Sequence, residues 1–451
     1  MVITVRKMTV VSLASAGLVL AGCASGHAGG TPAAGSSSPP APVPASSVPA
    51  SGPGTRATAA TGNAATVAAT GTVSAAPGQR PGALWLESVR MASASSGWAL
   101  ALRQNPASAK SDPVLLARTS DGGRTWADVT PPEARAMLAT PDAAPVLDVT
   151  DAEHAYLAVS AATTNVTASR NPTAVFATAD GGRAWTASAP LTVSGVPVQV
   201  AFADASHGWL LLDAGGDASG HPLPWLYRTT DGRHWAPAAS AAPPGSGGTN
   251  NMCQKLGLAF PSTTAGWLRV SCRSGDFLVQ SRDGGSTWQP QSLPLTGDCT
   301  APGAQCTVFG PQLSGGTAFV TIAPLTAAPA PALLASTDLG HAWQPVPLPS
   351  GAGQYPQVSF FTPDDGVLVA MGSQQALGAV FYTTKDGGRI WSAVPQGRHF
   401  TQLGASVNFA NARDGVVWIE AGDAQGATPP PLYATPDSGR TWTSFVPELT
   451  G

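Results

Sequence analysis

Charge is the first thing this sequence has little of. Only 11% of its 451 residues are Asp, Glu, Lys or Arg, and 23 basic against 26 acidic side chains leave a formal net charge of -3. Lysine is rare even among the bases. Such a surface makes no positive field, which excludes nucleic acid as a partner and any basic patch that would hold anionic lipid. A sustained apolar stripe at helical spacing with caps is also missing, which argues against a helical bundle. Cysteine is sparse at five, with no CxxC and no nearby histidine pair, so neither a structural metal nor a cofactor is expected. The chain contains no HExxH, GxSxG, Walker loop or dinucleotide fingerprint, and the chemistries those motifs serve are set aside with them.

What the sequence does have is Gly (51), Pro (42) and Trp, thirteen against five Tyr. Part of the Gly and Pro lies at the N-terminus. Arg6 and Lys7 precede an apolar run from Met8 to Leu20 that is too short for a membrane-spanning stop-transfer helix. "LAGC", ending at Cys23, then resembles a bacterial lipobox, which implies a signal peptide over residues 1–22 and lipid on Cys23. Residues 23–81, Ala/Pro/Ser/Gly-rich after Cys23, cannot bury a core and are expected to form a disordered tether. A flexible coil of that length reaches roughly 40 Å, root mean square. The expected location is the cell membrane, lipid-anchored on its extracytoplasmic face.

From residue 84 onward the chain repeats itself. "TSDGGRTW", "TADGGRAW", "TTDGRHW", "SRDGGSTW", "STDLGHAW", "TKDGGRIW" and "TPDSGRTW" end at Trp126, Trp185, Trp235, Trp288, Trp343, Trp391 and Trp442. Their aspartates are Asp121, Asp180, Asp231, Asp283, Asp338, Asp386 and Asp437, 48 to 59 residues apart. The third box is one glycine short, and Leu339 replaces the first glycine of the fifth. About 20 to 30 residues before each box stands a weaker motif, such as "SSGWALAL" at Trp98, "SHGWLLL" at Trp209 and "TAGWLRV" at Trp267. Six residues before its glycine lie Phe202, Phe260, Phe360 and Phe409, with Met91 in the first copy. Each unit reads as four short strands punctuated by Gly, Asp and Pro. Seven such units predict an all-β chain: a single seven-bladed β-propeller of four-stranded blades over residues 82–451.

Within a box, Asp at the start of a tight turn is expected to accept backbone N–H groups two or three residues on. The glycines supply positive φ, and the Trp fills the gap between blades. The octapeptides resemble the Asp-box, or BNR, repeat of bacterial sialidases. With one box per blade and Gly-Trp strands, the chain looks more like the photosystem II stability and assembly factor-like propellers. That resemblance covers residues 84–445 and implies an architecture, because one propeller serves many tasks. Seven copies, one on each blade, cannot converge on a single substrate, so the boxes read as structure. The Arg inside five of them (Arg124, Arg183, Arg233, Arg389, Arg440) reads as a solvated turn residue.

Hairpin parity assigns the faces. The first turn and the box belong at one end of every blade, the second turn and the interblade link at the other. The latter vary most, as in 103–112, 160–172, 213–224 and 240–255. Recognition is expected there, over the central channel, with Arg103, Arg170, Lys255, Arg273 and Arg398 as candidate contacts. Cys253 and Cys272 are symmetric about a turn, and Cys299 and Cys306 close a short loop. The preferred disulfides are therefore 253–272 and 299–306, the two other connectivities remaining open.

A sialidase needs an "FRIP"-type motif, an arginine cluster and a Tyr–Glu nucleophile pair. No such tetrapeptide occurs, and Glu appears only at 87, 133, 153, 420 and 448, without an evident Tyr partner. The expectation is a monomeric, non-catalytic scaffold that binds a protein or glycan at the cell surface. The alternative is a sialidase-like glycoside hydrolase.

Overall fold

The computed structural model describes residues 82–450, with breaks at 104–112, 141–142, 162–169, 215–222, 241–252, 273–274, 295–305, 325–329, 354, 371–378, 396–404 and 421–428. Cys23 and the expected tether lie outside the described residues. Among the described residues no helix is long and apolar enough to cross a membrane.

Seven sheets, each with an antiparallel four-stranded blade, follow one another along the chain, as the repeats predict. A short strand β1 (Gly82–Ala83) precedes the first blade, β2 (Trp85–Met91), β3 (Gly97–Leu102), β4 (Leu115–Thr119) and β5 (Thr125–Asp128). The link to the second blade carries α1 (Pro132–Leu138), which the sequence reading did not anticipate. Seven residues are too few to show a helical period. The helix instead begins on a proline, whose missing N–H costs nothing at that position, and buries Ala134 and Leu138. The second blade comprises β6 (Ala143–Val149), β7 (Ala155–Ala161), β8 (Arg170–Thr178) and β9 (Thr186–Ala187), and β10 (Leu191–Ser194) adds to β8. The third is β11 (Val196–Phe202), β12 (Gly208–Asp213), β13 (Leu226–Thr229) and β14 (Ala236–Ala239); the fourth is β15 (Cys253–Ala259), β16 (Gly266–Cys272), β17 (Gly275–Ser281) and β18 (Gln289–Pro290). The fifth is β19 (Cys306–Ser314), β20 (Thr317–Pro324), β21 (Ala332–Ser336) and β22 (Gln344–Val346). The sixth is β23 (Gln357–Phe360), β24 (Asp365–Ala370), β25 (Val380–Lys385) and β26 (Ser392–Ala393); the seventh is β27 (Ala405–Phe409), β28 (Gly415–Ile419), β29 (Leu432–Thr435) and β30 (Thr443–Phe445).

Position within a blade explains composition. Second strands such as β3, β20 and β28 are buried along their whole length, because neighbouring blades cover both faces of the sheet. Their sequences accordingly run apolar without alternation. Fourth strands form the rim, and β9, β18 and β26 are two exposed residues each. Edges that short offer little to an incoming strand.

First strands contact first strands around the ring: β6 with β11, β11 with β15, β15 with β19, β19 with β23, and β27 with β2. A last strand, β31 (Glu448–Thr450), closes the ring by crossing from the seventh blade to the rim of the first. It lies parallel to β5 and antiparallel to β1, with Leu449 buried beneath it.

The boxes and first turns do share one end of the blades. Box N–H groups donate to first-turn carbonyls in Gly122 to Ser95, Gly181 to Glu153, Gly232 to Ser206, Gly284 to Thr264 and Gly387 to Asp364, all at 2.8–3.0 Å. This end is the box face. Second turns and interblade links leave from the opposite end, the loop face.

Candidate functional site

Each box aspartate is consumed by its own turn. In six boxes Asp Oδ1 accepts the backbone N–H four residues on, from Thr125, Ala184, Thr287, Ala342, Ile390 and Thr441, at 2.8–2.9 Å. The expected spacing of two and three residues holds for Asp231, which accepts N–H groups of Arg233 and His234 at 2.8 Å. Its box is one glycine shorter, so the chain turns sooner. The first-glycine position is left-handed throughout, including Leu339 at φ 57° and Ser438 at φ 65°.

Sequence reasoning missed the residue that opens every box. Thr119, Thr178, Thr229, Ser281, Ser336, Thr384 and Thr435 are all buried. Each hydroxyl donates to the box carboxylate at 2.8–3.1 Å. In six boxes it also accepts the N–H of the second glycine, as from Gly123 at 2.9 Å and Gly285 at 2.8 Å. Such bonds favour the ionised carboxylate. Burial pushes Asp121 up, but bonds from Thr125 and Thr119 outweigh it and hold the group below the usual range. For Asp180 the Ala184 N–H is the main depressing influence.

The box tryptophans occupy the boundaries between blades. Trp126, Trp288 and Trp343 are buried, while Trp185, Trp235, Trp391 and Trp442 are half-buried. Trp185 donates back to Val129 O of the preceding unit at 2.9 Å. Second-strand aromatics face the next blade: Tyr156 stacks on Phe202, Trp209 on Phe260 and Phe319 on Phe360, each pair with ring centroids 3.7 Å apart.

Towards the channel, polar side chains pin one first strand to the next. Phe202 N–H donates to Asp148 Oδ2 at 2.9 Å, Phe360 N–H to Gln312 Oε1 at 3.0 Å, and Met91 N–H to Asn408 Oδ1 at 2.7 Å. Among the described residues Asp148 is the one carboxylate that joins first strand to first strand; Asp276, on β17, accepts the Val308 N–H of β19 at 3.2 Å. Burial drives Asp148 up to about 6, against the pull of the Phe202 N–H and the Arg90 guanidinium. Arg90 is enclosed in turn, its pKa lowered by burial and supported by the charges of Asp148 and Glu420.

Of the five candidate recognition residues, Arg103 and Lys255 have described side chains. Arg103 lies at the loop-face end of β3, where its guanidinium donates to Asp128 Oδ2 at 3.0 Å. Arg135 of α1 grips the same buried carboxylate. Lys255 is not the exposed loop base expected of it. It belongs to β15, is 3% exposed, and packs its ammonium over the Trp225 ring at 5.7 Å. Burial lowers its pKa and the charge of Asp213 opposes that shift. Arg170 begins β8, its side chain outside the described residues, as are Arg273 and Arg398. Cys253 and Cys272 are disulfide-bonded across the β15–β16 pair. Cys306 is also disulfide-bonded, but Cys299 lies outside the described residues.

One cavity, about 450 Å³, opens at the box face between the seventh and first blades. Met91, Val416 and Ala434 line it with apolar surface, and Asp121, Arg124 and Asp414 bring charge. This is the opposite face from the one sequence reasoning chose for recognition.

No family model matches the chain, and no curated protein matches it. Solved structures do resemble its fold. The GH74 xyloglucanase from Xanthomonas campestris aligns with TM-score 0.48 and 16% identity over 82% of this chain and 54% of its own. YCF48 from Cyanidioschyzon merolae aligns with TM-score 0.45 and 15% identity over 75% and 94%. Prolyl oligopeptidase B from Galerina marginata gives TM-score 0.51 and 9% identity over 81% and 51%. The chain thus spans about half the length of the xyloglucanase and the peptidase.

Proposed function

We propose that this protein is a non-catalytic Asp-box propeller, held at the outer face of a bacterial membrane by lipid on Cys23, that binds a protein or glycan through its loop face. One observation carries the reading. The residue types with most chemical potential, seven recurring aspartates, spend their acceptors on their own turns. What differs between blades is then the set of segments leaving the loop face, the usual place for recognition on a rigid scaffold. The test replaces 162–169 and 215–222 by Gly/Ser linkers of equal length and measures retention of native membrane proteins and glycans. Unchanged retention by a folded variant defeats the reading.

A second reading, a sialidase-like glycoside hydrolase, draws on Asp148. A carboxyl raised to about 6 beside a guanidinium suits an acid catalyst. Against it, Asp148 does the same backbone-pinning as Gln312 and Asn408, which have no acid chemistry. Turnover of sialosides or aryl glycosides that Asp148→Asn abolishes would establish the hydrolase and remove the scaffold proposal.

A further inference from the structure

The blades carry an internal template for what the seam cavity holds. The second-strand aromatic position always pairs across the ladder with the residue three before the box aspartate. These pairs are Trp98–Arg118, Tyr156–Ala177, Trp209–Arg228, Trp267–Gln280, Phe319–Ala335, Val367–Thr383 and Val416–Ala434. Where an arginine occupies the second place it reaches into the next blade. Arg118 lies over Trp98, donates to Ala152 O at 3.1 Å and pairs with Glu153 at 2.9 Å. Arg228 donates to Asp283 O at 3.2 Å.

At the seventh blade both places are small, Val416 and Ala434, and the facing position on the first blade is Met91 rather than Phe. The cavity is therefore the volume that an aromatic and an arginine fill in the first and third blades. The backbone acceptor is still in place, while Ser95 stands where Glu153 does. Ala94, the counterpart of Ala152 in the first turn, lines it. So does Asp414, whose Oδ2 accepts the Asn411 amide N–H at 2.9 Å and which has no ion-pair partner among the described residues; Asp121 lines the cavity as well, its carboxylate oxygens already accepting from Thr119 and Thr125. Arg124 is the one cation of the lining, already committed to Asp121 O at 2.9 Å and to the Phe445 ring at 5.2 Å. The lining charge sums to net negative, complementary to a guanidinium.

We propose that this seam receives an arginine side chain presented by a partner polypeptide. The aliphatic stem lies on Met91, Val416 and Ala434, and the guanidinium meets Ala94 O and the Asp414 carboxylate. A planar fork matches such acceptors better than an ammonium does. The site is on the box face and stands independently of the loop-face reading.

The experiment labels methionine methyl groups of the full chain and follows the Met91 signal during titration with Ac-Gly-Arg-Gly-NH2. A matched citrulline peptide, isosteric but neutral, is the control. The expected result is a saturable Met91 shift with arginine, at least about tenfold weaker with citrulline. Asp414→Asn should weaken the arginine peptide several-fold. Ala434→Arg should fill the seam from within, move the Met91 signal unaided and abolish binding. No saturable shift, equal binding of citrulline, or full binding by Ala434→Arg with the other methionine signals unchanged would overturn the proposal. Should Ala434→Arg fail to fold, Asp414→Asn and the citrulline control decide.

Discussion

Asp148, on the innermost strand of the second blade, accepts the backbone N–H of Phe202 on the innermost strand of the third. The same bond joins Gln312 to Phe360 and Asn408 to Met91, so a carboxylate stands where amides serve in other blades. It brings a charge into an enclosed place.

That charge gives stability a dependence on pH. Asp148 titrates at about 6 in the folded chain against 3.8 ordinarily, so its stabilising contribution is complete below pH 4 and lost as pH rises through 6. A shift of that size corresponds to about 3 kcal/mol. We expect Asp148→Asn to keep the acceptor and remove this decline, read by urea unfolding from pH 4 to 7. A variant with the wild-type slope would place the pH dependence elsewhere. The box aspartates act with opposite sign: their lowered pKa values stabilise above the ordinary carboxylate range and are lost as pH falls below it.

Within a box the hydroxyl should matter more than the carboxylate. Ser281 is 1% exposed and accepts the buried Gly285 N–H, whereas Asp283 and the N–H groups it accepts are at the surface. Ser281→Ala is expected to cost about 1–3 kcal/mol and Asp283→Ala about 0.5–1.5 kcal/mol. Trp288→Ala should exceed both, at about 3–5 kcal/mol. Denaturant midpoints of the three variants rank them. The reverse order for Ser281 and Asp283 would show that exposure is a poor guide here.

Leu449 is the buried residue of the closing strand. Leu449→Ala should cost about 2–5 kcal/mol. Hydrogen exchange should quicken first in β5 and β31. Uniform quickening around all seven blades would mean that closure does not guard the first blade in particular.

The anchor is tested by fractionation. Cys23→Ala should release the protein from membranes, and a wild-type protein found wholly in the soluble fraction would overturn the lipoprotein reading.

Fold was legible because each blade repeats the same local physics. A tight turn with positive φ at the first-glycine position, an aromatic opening the next strand and short spacing recur seven times, and recurrence averages out the ambiguity of any one strand. The opening Ser or Thr was visible in every box, yet its role needed the buried Gly N–H to be seen. Asp148, Gln312 and Asn408 were not legible, since three different side chains perform one task at one register position, opposite Tyr156, Phe319 and Val416, where no residue type recurs. Lys255 misled for a related reason. Composition marks the segment before it as a loop, but its strand begins at Cys253 and carries the side chain over the Trp225 ring. The seam cavity is legible only as three substitutions at once, Met91, Val416 and Ala434, each ordinary alone.

Ring closure also decides where mechanical load falls. Tension applied along the chain ahead of Gly82 reaches β1 first, and β1 is held by two residue pairs to β31 and by Leu84 N–H to Pro447 O. β31 is in turn the strand paired to the edge of β5 among the described residues. A pull strong enough to peel β1 therefore bares the latch rather than a blade interior, so under force the circle would fail by unbuckling at its clasp, with the seven sheets behind it still folded.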